Sequence, residues 1–435
     1  MRKVITYGTF DLFHKGHYNI LKRAKEAGDY LIVGVTGESY DAERGKLSVQ
    51  DSLATRIENV RKTGFADQII VEEYLGQKIH DILKYDVDVL VIGSDWKGKF
   101  DHLTKYCEVQ YLERTKNISS TQIREEKLDI YKFGIVTDNV YDDGAVTEPK
   151  NVSGIHVESV FAEDGDIAGS FAEKYELDCG HTDYQKFLDS VDIVYVKTKS
   201  GNRFDYVKKA IVAGKHVICD SPIVLSAAEE ETLRTLAEEK GVILLNNITT
   251  LYLQAFGQLL WMARGNLIGD IVRVKCAISN NRFRGECDEE FEEMAYWAVC
   301  AVVKILGSSL TDFNYKIVRN ENDEVSYASL NINYDNSVAT IEIGTDLDVG
   351  GSMSILGANG EIHVPDNWWD IGYFELRNTN DSNVKRYSSN LEGNGFRYLI
   401  QALLKMIKNN SSANQRITLE ESNTILNIIE KITEL

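Results

Sequence analysis

Val4-Ile5-Thr6-Tyr7-Gly8-Thr9-Phe10-Asp11-Leu12-Phe13-His14-Lys15-Gly16-His17 opens on an apolar run and closes on two imidazoles, and the fold class turns on how these are joined. Val4 to Tyr7 read as a buried strand that Gly8 breaks. Tyr18-Asn19-Ile20-Leu21-Lys22-Arg23-Ala24-Lys25 then carries its apolar residues at helical spacing. His14 and His17 therefore stand three residues apart where a strand hands over to a helix. In an open α/β sheet, ligands bind beyond the carboxyl ends of the strands, and a helix N-terminus offers N–H groups to phosphate. Gly16, between the imidazoles, lets backbone approach a ligand that a Cβ would hold off.

Working outward, strands near 3–7, 30–35, 68–72, 88–93 and 108–112 alternate with helical patterns near 16–27, 52–63, 76–84 and 118–126. That alternation predicts a parallel, helix-covered sheet. A second α/β run follows after only a few polar residues. Its strands are expected at 131–137, 154–160, 192–197, 215–219 and 242–246, with helices at 167–175, 204–213 and 226–240. Beyond about 250, helices near 250–264 and 291–306 mix with period-2 strands such as Ser326 to Asn333 and Ala339 to Ile343. These predict a large antiparallel sheet with helices on one face. A closing amphipathic helix over 418–433 is opened by Thr418 with Glu421 three residues on, a capping box. The expected domains are 1–127, 128–246 and 247–435.

A chain of 435 residues is too long for one ordinary core. Its net charge of −19 argues against nucleic acid as a partner but leaves phosphate substrates open, since these need only a local cluster of cations. No stretch approaches 18 uninterrupted apolar residues, so neither a signal peptide nor membrane insertion is expected, and a cytoplasmic location is. The six cysteines lack CxxC spacing and read as reduced thiols rather than metal ligands.

The first 127 residues resemble the glycerol-3-phosphate cytidylyltransferases of the HxGH nucleotidyltransferase superfamily. The resemblance runs through Tyr7 to Asp11, His14-x-Gly16-His17, Gly93-Ser94-Asp95-Trp96-Lys97-Gly98-Lys99-Phe100-Asp101 and Arg114-Thr115-Lys116-Asn117-Ile118-Ser119-Ser120-Thr121. Ser94 and Ser120 depart mildly from the family, which has an acidic residue and a threonine there. The resemblance implies CTP, with Mg²⁺ as its counter-ion, and an alditol phosphate acceptor; no carboxylate cluster demands a dedicated metal cage. His14 and His17 would donate hydrogen bonds to the α-phosphate and the bridging oxygen, and Thr9 with the backbone of Gly8 to Phe10 would cradle the triphosphate. Asp11 would orient the site, with a helix-flanking cap as the alternative. Asp95 and Trp96 would border base and ribose, a structural tryptophan being the alternative. Arg114, Thr115, Ile118, Ser119, Ser120 and Thr121 would face the outer phosphates, although Ser119 with Gln122 also reads as a capping box. Arg44, Lys46 and Arg56 would meet the acceptor phosphate, with a solvated loop as the alternative for the first two. Lys46 and Arg114 join the two histidines as the catalytic set.

Residues 130–435 resemble the Gfo/Idh/MocA family of NAD(P)-dependent oxidoreductases. The likeness lies in Phe171-Ala172-Glu173-Lys174-Tyr175, Ala213-Gly214-Lys215-His216-Val217-Ile218-Cys219 and Ile355 to Ile362, which are structural positions. The positions that carry chemistry differ. After strand 131–137 the glycines of G-x-G-x-x-G are missing, and Asp138, Asp142 and Asp143 stand where a diphosphate would lie. Ala162 stands at the ribose-binding acid, with Glu163 and Asp164 next. Asp220-Ser221-Pro222 replaces a Glu-Lys-Pro motif, and Trp297 replaces a catalytic histidine. Serine has neither the charge nor a useful pKa for proton transfer. NAD(P) is therefore not expected, and the second half is expected to be catalytically silent.

The function expected is a CTP:glycerol-3-phosphate cytidylyltransferase that makes CDP-glycerol and pyrophosphate for teichoic-acid-like or capsular polymers. The chain is expected to be a homo-oligomer, a dimer or higher. Two alternatives concern the second half: reduction of a sugar phosphate with NAD(P)H to supply the alditol phosphate, or a platform for assembly and partner binding. Ribitol or erythritol phosphate are the alternative acceptors.

Overall fold

The computed structural model describes residues 1–43, 49–74, 76–113, 130–140, 142–279, 287–379, 384–389, 391–410 and 415–433. It divides into two compact units, Met1–Ile130 with Asn151–Gly154, and Tyr131–Lys150 with Ile155–Leu435.

In the first unit, β1 (Lys3–Gly8), α1 (Lys15–Glu26), β2 (Tyr30–Thr36), α2 (Glu38–Glu43), α3 (Leu53–Lys62), β3 (Gln68–Glu72), α4 (Gln77–Tyr85), β4 (Val89–Gly93) and β5 (Glu108–Leu112) follow in order. The five strands form a parallel sheet of order β3-β2-β1-β4-β5. Alternation along each strand divides the core in two. Val4, Leu31, Val33, Val89 and Val91 meet Leu21 and Ala24 of α1 and Val60 of α3. Ile5, Tyr7, Ile32 and Leu90 meet Ile82 of α4 on the other face. Burial on both faces explains why the strands read as continuous apolar runs. The strand order reverses between β1 and β4, which opens a crevice directly after Gly8.

The second unit begins with β6 (Tyr131–Thr137), α5 (Asp143–Thr147), β7 (Ile155–Phe161), α6 (Gly165–Tyr175), β8 (Cys179–His181), α7 (Tyr184–Ser190), β9 (Ile193–Lys197), α8 (Ser200–Val212), β10 (His216–Asp220), α9 (Ala227–Lys240) and β11 (Leu244–Asn247). Its parallel sheet runs β11-β10-β9-β6-β7-β8, with the reversal between β6 and β9. The short β8, α7 and α5 escape the sequence reading, since three to seven residues hold too few repeats to show a period.

Next come α10 (Gln254–Arg264), β12 (Ile271–Ser279), α11 (Cys287–Leu306), β13 (Asp312–Arg319), β14 (Val325–Asn333), β15 (Val338–Gly344), β16 (Met353–Gly357), β17 (Gly360–Val364), β18 (Tyr373–Asn378), β19 (Val384–Ser388), α12 (Phe396–Asn409) and α13 (Leu419–Thr433). The eight strands β12–β19 form one sheet, of order β13-β14-β15-β12-β16-β17-β18-β19. It is mixed rather than antiparallel, because β12 pairs with β15 in parallel. Period-2 alternation reports which face of a strand is buried and is blind to direction. Here α11 carries the chain away after β12, so no hairpin forces that strand to run against its neighbour. The inner face packs on α10, α11 and α13. The capping box forms: Thr418 N donates to Glu421 Oε2 at 2.9 Å, and Glu421 N to Thr418 Oγ1 at 3.1 Å.

Candidate functional sites at two strand crossings

The loop after β1 holds the first site. Phe10 and Leu12 both adopt left-handed backbone, φ 53° and 47°. Such conformations cost non-glycine residues on the order of 1–3 kcal/mol each and persist only where surroundings enforce them. The turn at Phe10 sends its ring back across Gly8, where an added Cβ would lie 3.0 Å from the ring. Gly8 thus serves as the floor for Phe10. His14 caps α1, its Nδ1 accepting from Gly16 N at 3.0 Å. A neutral imidazole that accepts at Nδ1 carries its proton at Nε2, so the cap fixes the donor atom. His17 lies one turn on, its ring stacked on His14 at 3.9 Å and 21°, with Phe10 and Phe13 each 5.5 Å away. The structure therefore brings the two imidazoles together at the crevice.

Behind them lies a buried polar network. Arg56, 0 % exposed, donates through Nη1 to Thr9 O (3.0 Å) and Thr36 O (2.8 Å), and through Nε to Asp51 O (3.0 Å). Asp41 pairs with Arg56 Nη1 at 3.4 Å and accepts from Thr36 Oγ1 at 2.7 Å. Asp11 Oδ1 accepts from the N–H groups of Gln50 and Asp51, both at 2.9 Å, and Asp51 Oδ2 accepts from Leu12 N at 3.0 Å.

These positions revise several expectations. Thr9, Phe10 and Asp11 are all buried, so their side chains are turned away from solvent at this loop. Asp11, whose carboxylate would repel a triphosphate, acts as a strut to residues 50–51, and His14 rather than Asp11 caps the helix. Arg56 spends Nε and Nη1 on the chain. Its Nη2 has no hydrogen-bond partner among the described residues and is itself buried, so Arg56 is no exposed phosphate ligand in this conformation. The segment expected to be a charged loop includes α2, whose first turn carries Glu38 and Asp41 at the favourable end of the helix dipole. Trp96 closes a short turn after β4, 41 % exposed, with Lys99 Nζ 5.1 Å above its ring. Arg44, Lys46, Arg114, Thr115, Ile118, Ser119, Ser120 and Thr121 lie outside the described residues, as does the side chain of Asp95. Sequence reading missed Asp41, Thr36 and Asp51. A buried carboxylate inside a charged stretch looks like any solvated one until the fold covers it.

The second crossing follows β6, and there the chain fills its own crevice. Asp138 Oδ2 accepts from Lys199 N at 3.0 Å. Asp142 caps α5 through Ala145 N at 3.2 Å and pairs with Lys197 Nζ at 2.9 Å. Burial disfavours the Lys197 charge, but Asp220 and Asp142 outweigh it and raise the pKa. Glu163 accepts from Tyr206 OH at 2.6 Å, and Asp164 caps α6 through Asp166 N at 2.8 Å. Asp220 accepts from Tyr195 OH (2.7 Å) and Asn247 Nδ2 (2.8 Å), while Ser221, 0 % exposed, donates to Asn247 O at 3.2 Å. Trp297 is buried in the core of the eight-stranded sheet. The helix itself has five residues and ends at Glu148, which grips Arg397 of α12 in a two-point ion pair at 2.8 and 2.9 Å. Gly393 passes beneath that carboxylate, where a Cβ would collide with it.

Paired imidazoles at the switch point of a parallel sheet define a nucleotide-handling α/β domain of the nucleotidyltransferase class. The comparisons agree. The cytidylyltransferase-like family matches residues 5–126. The chain is 51% identical over 126 residues to glycerol-3-phosphate cytidylyltransferase from Bacillus spizizenii, covering 29% of this chain and 97% of that protein. It is 46% identical over 128 residues to the glycerol-3-phosphate cytidylyltransferase of Staphylococcus aureus, covering 29% and 95%. The chain belongs to the cytidylyltransferase-like family and is a nucleotidyltransferase.

Residues 144–248 match the oxidoreductase family with an NAD-binding Rossmann fold, so the second unit carries a Gfo/Idh/MocA oxidoreductase domain. That match begins after β6 and its acidic loop. A 3-ketoreductase from Actinomadura kijaniata, solved with NADP and TDP-benzene, superposes with TM-score 0.60 at 16% identity, covering 68% of this chain and 96% of that one. A UDP-N-acetylglucosamine 3-dehydrogenase from Acidithiobacillus ferrooxidans gives 0.59 at 15%, covering 70% and 97%. Likeness at that identity establishes the fold. Among the described residues, no helix is long and apolar enough to cross a membrane.

Proposed function

We propose that the first unit transfers cytidylyl from CTP to glycerol 3-phosphate, releasing CDP-glycerol and pyrophosphate, and that the second unit does no hydride chemistry. The His14–His17 pair, set at the crevice of a domain that matches glycerol-3-phosphate cytidylyltransferases over nearly their whole length, carries the reading.

An oxygen of the acceptor phosphate forms a bond to the α-phosphorus of CTP as the bond to the β-phosphate's bridging oxygen breaks, and pyrophosphate leaves with that electron pair. The attacking oxygen is already ionised at neutral pH, so no general base is needed. Positioning and charge stabilisation carry the rate. His14 donates from Nε2 to the α-phosphate, and His17 supports the leaving oxygen. The backbone of Gly8 to Phe10 cradles the triphosphate, and Mg²⁺ arriving with CTP would supply charge neutralisation to the pyrophosphate. Arg114, Thr115, Ile118, Ser119, Ser120 and Thr121 face the outer phosphates, with Asp95 and Trp96 beside the base and ribose. Arg44 and Lys46 hold the acceptor phosphate. Pyrophosphate release with CTP, Mg²⁺ and glycerol 3-phosphate tests the reading, and absence of turnover with this and other alditol phosphates overturns it. A tenfold preference, about 1.4 kcal/mol in transition-state binding, for ribitol or erythritol phosphate would reassign the acceptor. CDP-glycerol would feed a polymer of teichoic-acid or capsular type.

For the second unit, the engagement of Asp138, Asp142, Glu163 and Asp220 by the chain itself supports a silent domain. A diphosphate placed after β6 would meet two carboxylates and a five-residue helix, which is the reverse of an anion site. We take this unit to be an assembly or partner-binding platform. Titration with NADH and NADPH should give no micromolar binding. Substrate-dependent oxidation of either would instead establish a bifunctional enzyme.

A further inference from the structure

We propose that the second unit carries a phosphate site of its own at the edge of its six-stranded sheet, where Asn246, Arg234 and Arg416 take a phosphate group, free or borne by a small ester. The site is independent of the reaction proposed for the first unit.

β11 is an edge strand, and its side chains alternate between the two faces of the sheet. Asn247 donates to Tyr195 OH and Asp220 Oδ1 on one face, so Asn246 points to the other. There Asn246 is 7 % exposed, and neither its Nδ2 nor its Oδ1 has a hydrogen-bond partner among the described residues. Asparagine is a poor strand former, and burying an unpaired amide is costly. Asn246 lines a recess of about 220 Å³, counted to its open mouth, together with Arg234, Tyr252 and Arg416.

The charges around the recess are uneven. Arg234 of α9 is 12 % exposed and pinned by Glu230, whose Oε1 accepts from its Nε at 2.7 Å and pairs with its Nη2 at 2.5 Å. Ser422 Oγ donates to the same oxygen at 2.6 Å. Arg416, ahead of α13, is exposed, lies 5.9 Å from the centre of the Tyr252 ring and pairs with no carboxylate among the described residues. Burial pushes the Tyr252 phenol up, and Arg416 and Arg234 both oppose that shift, which places the two guanidiniums beside one ring. Two cations thus meet one anion at the recess, in a chain of net charge −19. The recess encloses room for about one water-sized atom. An oxyanion can seat one oxygen there and keep the others at the mouth, where a guanidinium can donate two parallel N–H bonds. Asn246 offers both a donor and an acceptor. A carboxylate only accepts, whereas a hydrogen phosphate accepts through its oxygens and donates through its O–H, so phosphate matches both ends of the amide. A lone water would also satisfy Asn246, but its presence would not depend on Arg416.

The test uses the full chain and inorganic phosphate, with ionic strength held constant by sodium chloride. Calorimetric titration should show saturable binding, and the unfolding midpoint of the second unit should rise with phosphate. Arg416→Gln, a change at an exposed side chain, should weaken that binding at least about tenfold, the scale for losing a hydrogen bond to a charged group. Asn246→Leu, which keeps nearly the same shape without the amide, should weaken it by as much. If circular dichroism finds the leucine variant unfolded, Arg416→Gln decides alone. Methyl phosphate titrated alongside distinguishes the two sources, binding more tightly than the free ion where an ester is the ligand and less tightly where it is not. Acetate that binds as tightly as phosphate overturns the choice of phosphate. Absence of binding overturns the site, and so does binding that the variants leave unchanged, since that phosphate would sit elsewhere in the chain. Either result leaves the cytidylyl transfer proposed for the first unit untouched.

Discussion

The loop after β1 and the loop after β6 occupy equivalent places in two parallel sheets, each where strand order reverses, and they have opposite chemistry. The first presents two imidazoles on a strained backbone held from behind by a buried ion pair and hydrogen bonds. The second presents carboxylates already bonded to neighbouring lysine, tyrosine and backbone groups. Both helices are capped by a side chain, His14 in one and Asp142 in the other. The first cap is an imidazole and the second a carboxylate. An α/β crossover supplies a crevice, and the residues on its lip decide whether a phosphate is welcome.

The largest effect should come from the bolt that holds the second loop. Glu148→Gln removes the close two-point partner of Arg397, a side chain only 9 % exposed, and leaves it only the looser pairing with Glu392 at 3.7 Å. Breaking one partner of a buried pair costs about 3–5 kcal/mol. Denaturant unfolding should register that loss in the second unit, while folded protein releases pyrophosphate at the wild-type rate. A parallel fall in turnover would break the comparison by making the first site depend on the second.

At the first loop, His14→Ala and His17→Ala should each lower kcat at least about a hundredfold, the scale for losing a charge-stabilising donor. A normal rate in either variant would remove that imidazole from the site. Asp142→Ala, the counterpart change at the second loop, should cost about 1–2 kcal/mol for the lost cap and the lost ion pair with the part-exposed Lys197. Calorimetric titration with NADH should still detect no binding. Micromolar affinity in the variant would mean that Asp142 alone closed a site otherwise intact.

The sequence carried the parallel sheets well, because strands such as Val89 to Ile92 are buried on both faces and read as unbroken apolar runs. It carried the His14–His17 pair because the two stand in a fixed motif at a strand end. It did not carry Asp41 or Thr36, which acquire meaning only when Arg56 folds over them from 15 and 20 residues further along the chain. Nor did it carry Tyr195, Asn247 and Tyr206, each of which reads as an ordinary strand or helix residue. The acids at 138, 142, 163 and 220 were visible, but their donors come from other strands and helices. The parallel placement of β12 was invisible for a different reason, since pairing direction leaves no mark on side-chain alternation.

The smallest effect is a pH dependence confined to the second unit. His216, at the start of β10, accepts at Nδ1 from Ile243 N at 3.1 Å. Burial lowers its pKa below the ordinary 6.5, with Asp192 opposing weakly. A histidine depressed in the folded state favours folding while neutral, so its contribution is complete above pH 6.5. It is lost as pH falls from there through the folded pKa. Protonation also places a second N–H against the Ile243 N–H, which turns an acceptor into a clash of donors. The denaturation midpoint of the second unit should therefore decline between pH 7.5 and 5.5. In His216→Gln, whose carbonyl can accept from Ile243 without titrating, the decline should be shallower, the difference between the two curves isolating this residue from every carboxylate in the chain. Superimposable curves would assign the acid sensitivity elsewhere.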